Sequence, residues 1–182
     1  EKQFDATVEM INSFRSYFLR YGEKINENPS PGNKAGGIST LEDKSLGCVQ
    51  KGGRAPVEDV ISYGKRIRTK GLTLLQAPGN DLVSSTALAA AGAHMVLFAT
   101  GRGTPFACPV PTVKISSNTP LSEKKHTWID FNAGRLLDGV TMDALTDELM
   151  QYIIALASGE IHAKSEYLDK HELAIFKDGV TL

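Results

Sequence analysis

Four short stretches of this 182-residue chain bring together the residue types that hold hydroxylated anions. Ala77-Pro78-Gly79-Asn80-Asp81, Thr100-Gly101-Arg102-Gly103-Thr104-Pro105, Ser117-Asn118-Thr119-Pro120 and Asn132-Ala133-Gly134-Arg135 each follow a run of strand character. Glycine lets backbone N–H groups approach a ligand, Asn and Thr hydrogen-bond hydroxyls, and Arg pairs with a carboxylate through two parallel bonds. Ligands of open parallel sheets collect beyond the carboxyl ends of the strands, so parallel pairing would place all four loops on one edge. That suits a polyhydroxy acid. Turn and cap chemistry explains any one loop taken singly, and the short connections into the third and fourth strands leave open an antiparallel step.

Other constellations fail on chemistry. Gly32 and Gly37 have the spacing of a Walker A loop, but Ile38 stands where its phosphate-binding Lys belongs. Gly101-Arg102-Gly103 lacks the third glycine of the dinucleotide fingerprint and leads to Pro105 and Pro109, not into a helix. His94, His126, His162 and His171 show neither HExxH nor HxH spacing.

The elements that must carry the loops follow from periodicity. Phe4, Val8, Ile11, Phe14, Phe18 and Tyr21 recur at helical steps and mark one helix face, stopped by Gly22. Residues 26–33 form a Pro/Asn loop, and Ser39-Thr40-Leu41-Glu42 has the spacing of a capping box for a helix over 41–50. Pro56 and Gly64 bracket a short helix or turn over 57–63. Leu72–Gln76 and Met95–Ala99 read as buried strands joined by an Ala-rich helix over 82–91, capped by Asn80 or Asp81 and closed by Gly92. This spacing predicts a right-handed parallel crossover with the two strands as neighbours or near neighbours. Thr112–Ser116 and Thr127–Phe131 complete a sheet of four or more strands. Met142, Leu145, Leu149, Ile153 and Leu156 mark a last long helix. Residues 165–173 read as helical and 174–176 as a final strand. The expected fold is one domain over 1–182, a three-layer α/β/α arrangement around a mainly parallel sheet.

Composition fits that expectation: 41% apolar and 23% charged residues describe a chain able to bury a core. Twenty basic against twenty-one acidic residues leave a net charge of -1, without broad attraction for nucleic acid or anionic lipid. No apolar run reaches the roughly 18 to 20 residues that span a bilayer. The start, Glu1-Lys2-Gln3-Phe4, shows neither Met nor a secretory signal, which points to a fragment or processed chain. Cys48 and Cys108 lack CxxC spacing and read as thiols of a reducing cytoplasm.

Residues 31–53, with Gly47-Cys48-Val49-Gln50-Lys51-Gly52-Gly53 at their end, closely resemble the altronate and galactarate dehydratase family at the start of its C-terminal domain. The resemblance continues through Gln76–Asp81, Thr100–Pro105, Pro111–Thr119, Asp130–Gly134 and the ending Ile175–Leu182. The 47–53 run and the Phe-Lys-Asp-Gly-Val-Thr-Leu terminus look nearer the altronate than the galactarate or sulfolactate branches. The resemblance implies a metal-dependent hydro-lyase, using Fe²⁺ or Mn²⁺, that converts a sugar acid such as D-altronate to a 2-keto-3-deoxy acid in hexuronate catabolism. It also implies N-terminal and middle regions, including a β-rich module, as partners within a longer polypeptide, and leaves room for a homo-oligomer. The isolated domain is then expected to be inactive.

Such a dehydration needs charge to meet the aci-carboxylate, a base at the 2-carbon and an acid at the departing 3-hydroxyl. Glu42 and Lys44 are the candidates for proton transfer, Arg102 and Lys114 for the carboxylate, and Asn33, Asn80, Asn118 and Asn132 for the hydroxyls. Asp81 and Asp130 are carboxylates able to ligate a metal. Against these stand a capping role for Glu42, solvated lysines, a loop ion pair for Arg102 and turn roles for the asparagines. Two alternatives stay open: an assembly domain whose catalytic metal site lies upstream, and a galactarate or sulfolactate lyase homologue.

Overall fold

Short strands punctuated by glycine and proline build two small parallel sheets in the computed structural model, which describes residues 1–24 and 29–179. These residues fall into two compact units, Glu1–Gln76 with the segment from Lys177, and Ala77–Phe176. The α/β class with parallel strands holds in both.

The first unit holds α1 (Lys2–Arg20), α2 (Pro31–Ala35), α3 (Leu41–Lys51), β1 (Val57–Ile61) and β2 (Leu72–Leu75). β1 and β2 pair in parallel, Val57 opposite Leu72 and Ile61 opposite Leu75. α1 lies against β1, where the Gln3 amide donates to the Glu58 carbonyl at 3.3 Å. The expected apolar stripe of α1 is not buried as one face: Phe4 is 70% exposed and Ile11 61%. Its aromatic end instead contacts itself, with Phe18 edge-on to Phe14 at 5.2 Å and Tyr21 to Tyr17 at 5.1 Å.

The second unit holds α4 (Asp81–Ala91), β3 (Val96–Thr100), β4 (Thr112–Ser116), α5 (Thr119–Lys124), β5 (Phe131–Asn132), a 3-10 turn (Ala133–Leu136), α6 (Met142–Ala157) and α7 (Lys164–Tyr167). Its sheet runs β3-β4-β5, parallel throughout, with Val96 opposite Thr112 and Ile115 opposite Phe131. Successive residues of a strand face opposite ways. Val113 and Ile115 therefore pack on one side with Leu156 and Ala163, joined by Met95, Tyr152 and Ile161. Burying a side chain the size of Leu156 contributes about 1.5–3 kcal/mol. Thr112, Lys114 and Ser116 take the other side.

Several elements differ from the sequence reading. Residues 57–61 form a strand, not a helix or turn, and β2 pairs with it, so β2 and β3 belong to different sheets and are not neighbours. The single sheet of four or more strands is thus two sheets of two and three. Residues 127–130 lie in no strand. Trp128 N–H and Ile129 N–H both bond the Lys125 carbonyl, and only Phe131–Asn132 pair with β4. Within the expected loop, residues 26–28 lie outside the described residues, while Pro31 opens α2 behind a Ser30 cap, its missing N–H costing nothing there. The cap of α3 is Thr40, whose hydroxyl accepts from Asp43 N–H at 3.1 Å, not Ser39. The late helix shrinks to Lys164–Tyr167, and 174–176 form no strand. Asn80 does cap α4, accepting from Leu82 and Val83 N–H, and Gly92 closes it at φ +111.

Candidate functional site

Because β3, β4 and β5 run the same way, the loops that follow them meet at one carboxyl edge. Their side chains knit that edge. Asn118 accepts from Leu121 N–H at 2.9 Å, capping α5, and donates to the Gly101 carbonyl at 3.1 Å. Asn132 accepts from the Ser116 hydroxyl at 3.2 Å and Gly134 N–H at 2.9 Å, and donates to the Thr119 hydroxyl at 3.1 Å. Thr119 in turn donates to Asp138 at 2.6 Å. Gly134 presses so closely on the β4 loop that a Cβ there would lie 2.3 Å from the Thr119 nitrogen. Both asparagines fasten the loops to one another.

Arg102 is exposed on the loop after β3, between Gly101 and Gly103. Gly103 has φ +82, a conformation that L side chains rarely adopt, and its N–H bonds the Thr100 hydroxyl at 2.9 Å. Lys114, the second residue expected to meet a carboxylate, is 2% exposed. Its ammonium donates to the Thr104 carbonyl at 3.1 Å and the Phe106 carbonyl at 2.5 Å, and lies 5.2 Å from the Phe106 ring centre. Burial pushes this amine below its ordinary range, while the Asp130 and Glu172 carboxylates pull it back.

The same loop is tied to the chain's last stretch. Glu172 Oε2 accepts from Ala107 N–H at 2.9 Å, and Glu172 N–H returns a bond to the Ala107 carbonyl at 2.8 Å. The Ala107 bond holds the Glu172 carboxyl below the usual carboxylate range. A carboxyl depressed on folding stabilises above its unfolded pKa, about 4.3, and loses that contribution as pH falls through the folded value. In urea melts followed by Trp128 fluorescence, Glu172→Gln should therefore lower stability at pH 7, with the gap to wild type closing below about pH 4. A gap independent of pH would dissociate Glu172 charge from the tie.

Beside β5 lies a hollow of about 320 Å³ lined by Ser122, His126, Asp130, Asn132, Arg135, Glu148 and Lys164, among others. Its charges are engaged with each other and with backbone. Arg135 pairs with Glu148, and Lys164 donates to the His126 and Ile129 carbonyls at 2.6 and 2.5 Å. Asp130 accepts from Lys114 N–H, Lys164 N–H and the Tyr152 hydroxyl at 2.7, 2.8 and 3.1 Å. Burial, then the Asp130 charge, raises the Tyr152 phenol above its ordinary range. Lys164 escaped the sequence reading because its bonds to the His126 and Ile129 carbonyls depend on the turn at 125–130, whereas Arg135 stands in the fourth loop singled out above.

In the first unit, Asn33 and Lys44 meet. The Lys44 ammonium donates to Asn33 Oδ1 at 3.0 Å, an oxygen that also accepts from the Ser30 hydroxyl at 3.0 Å. Glu42 is exposed in the first turn of α3. A hollow of about 310 Å³, lined by Glu9, Ser13, Ile61, Ser62 and Gln76 among others, opens at the carboxyl ends of β1 and β2. Reading β1 as a strand is the signal that would have located it.

Among the described residues, no three His, Cys, Asp or Glu side chains gather so as to hold a metal ion. Asp130 spends both oxygens on protein donors, and Asp81 stands in the first turn of α4, where its charge suits the helix dipole. These residues do not fit the divalent metal that the resemblance implies, and no chemical step is derived through one. No described helix is long and apolar enough to cross a membrane.

The C-terminal family of D-galactarate and altronate dehydratases matches residues 1–181. The chain is 58% identical over 185 residues to altronate dehydratase of Bacillus subtilis (strain 168) and 56% over 182 residues to that of Escherichia coli (strain K12). All of this chain and 37% of each relative are covered. Galactarate dehydratase (L-threo-forming) of Escherichia coli (strain K12) is 36% identical over 172 residues, covering 93% of this chain and 33% of that protein. The chain thus spans little more than a third of the altronate dehydratases it matches. On the strength of a match along almost its whole length, it belongs to the D-galactarate/altronate dehydratase C-terminal family.

Proposed function

We propose that this chain is the C-terminal domain of a hydro-lyase that dehydrates D-altronate to a 2-keto-3-deoxy acid, and that it supplies part of the substrate's binding surface. The observation that carries the reading is the knitted carboxyl edge of β3-β4-β5, with Arg102 exposed on it, in a chain so similar to altronate dehydratases. An arginine fork at that edge pairs with the sugar-acid carboxylate through two parallel bonds, holding substrate and transition state alike. Glu42 and Lys44 remain the proposed proton-transfer pair, with Lys44 oriented by Asn33. The divalent metal, Fe²⁺ or Mn²⁺, is assigned to ligands from other regions of the polypeptide, because the donors among the described residues do not suit it.

An assembly role for this piece is the second reading, favoured by one observation: Asn118 and Asn132 spend their amides inside the protein. Calorimetric titration of the 182-residue chain with altronate, with and without Mn²⁺, paired with a steady-state assay under reducing conditions, separates the two. The expected result is measurable altronate binding with turnover at least about 100-fold below that of the complete dehydratase, since a missing catalytic group costs at least that much. Absence of binding would favour assembly, and full turnover would place the complete site within these residues.

A further inference from the structure

We propose that Lys114 is a positioning residue that fixes the loop carrying Arg102, an inference resting on the reading of Arg102 as the carboxylate ligand. The stretch from Gly101 to Pro111 contains Pro105, Pro109 and Pro111, which have no N–H to offer. Its attachment to the sheet depends on what reaches it from outside. Lys114, at the middle of β4 and opposite Phe98 of β3, supplies two donors to the Thr104 and Phe106 carbonyls. The Phe106 ring closes over this point, 5.2 Å from the ammonium and edge-on to Phe98 at 5.0 Å. Directly after Arg102, the Thr100 hydroxyl holds Gly103 N–H. The arginine is thus followed by two anchored peptides, one bound through its N–H and the next through its carbonyl. A buried ammonium is costly, and an apolar side chain of similar volume commonly serves stability as well or better. What an apolar chain cannot do is hold two carbonyls in fixed places. A fork that must meet a carboxylate within about 0.5 Å needs such a support.

The test uses the complete dehydratase polypeptide with Lys114→Met, Arg102→Lys and the double variant, read by altronate kinetics and amide hydrogen exchange. Lys114→Met should speed exchange at Gly103, Ala107 and Cys108 while leaving α6 unchanged. Its KM should rise on the order of 10-fold, with kcat within about threefold of wild type. Added to Arg102→Lys, it should change KM by less than about twofold, because both act through one contact. Should the methionine variant not fold, Lys114→Gln, which keeps a shorter donor, is expected to give the same pattern at smaller amplitude. Unchanged exchange, multiplying KM effects, or a collapse of kcat at constant KM would each overturn the proposal. If Arg102→Lys alone leaves the kinetics unchanged, the carboxylate reading fails and the positioning role fails with it. Normal Arg102→Lys sensitivity with an inert Lys114→Met rejects only the latter.

Discussion

Gly134→Ala should unfold the second unit at a temperature roughly 12–24 °C lower, a loss on the order of 3 kcal/mol. The added Cβ would lie 2.3 Å from the Thr119 nitrogen and 2.4 Å from the Asn118 carbonyl carbon and Cα. Those are backbone atoms, so no rotamer relieves the overlap. The loop after β5 must withdraw from the loop after β4, breaking the Asn132–Thr119 bond and the turn bond to Gly134 itself. The chain's single tryptophan, Trp128, lies in this unit, so its fluorescence follows the relevant transition. Ala at Gly79, whose Cβ would meet nothing within 4 Å, is the matching control. A melting temperature within about 2 °C of wild type would contradict the close approach.

Arg102→Lys should lower kcat/KM for altronate by roughly 10- to 150-fold in the complete dehydratase, equivalent to about 1.5–3 kcal/mol. The lysine keeps the charge and loses the planar fork, so one point contact replaces two parallel bonds to the carboxylate. Melting should hardly move, because the residue is exposed and its loop is anchored through neighbouring peptides. Kinetics and a melt on the same preparation divide the readings. Unchanged kinetics would remove Arg102 from the site, and a large fall in melting temperature would make it a structural ion-pair residue.

The sequence reveals the long helices and the strands with uninterrupted apolar character, because periodicity and caps are local. Asn80 and Gly92 mark helix ends where the structure has them. It misleads where a signal serves two elements. Pro56 before Val57 suits a helix start as well as a strand edge, and Val57, Val60 and Ile61 are strand formers in too short a run to decide. With β1 unrecognised, β3 was the natural partner for β2, and two sheets read as one. Trp128 and Ile129 have strand propensity, yet the Lys125 carbonyl takes both their N–H groups and Lys125 covers the indole at 4.3 Å. At the candidate site, glycine and asparagine disclosed the edge loops. Nothing local shows that Asn118 and Asn132 bond other loops, or that Lys114 turns inward. Those outcomes depend on residues 13 to 17 positions away, or on a loop folded back across the sheet.

The tie between the chain's last stretch and the middle of the second unit bears on the order of assembly. β4 is joined to Asp130 across 16 positions, a short closure that local search completes early. The Ala107–Glu172 and Thr86–Ala174 bonds span 65 and 88 positions. By loop length alone, the longer of these costs about 1.5 kcal/mol more entropy to close than the 16-residue link. A nascent chain can therefore complete β3-β4-β5 while residues 172–174 are still being synthesised. Lys114 and Thr112 can already hold the segment around Ala107 by then, and its bonds to Glu172 are added when that residue emerges.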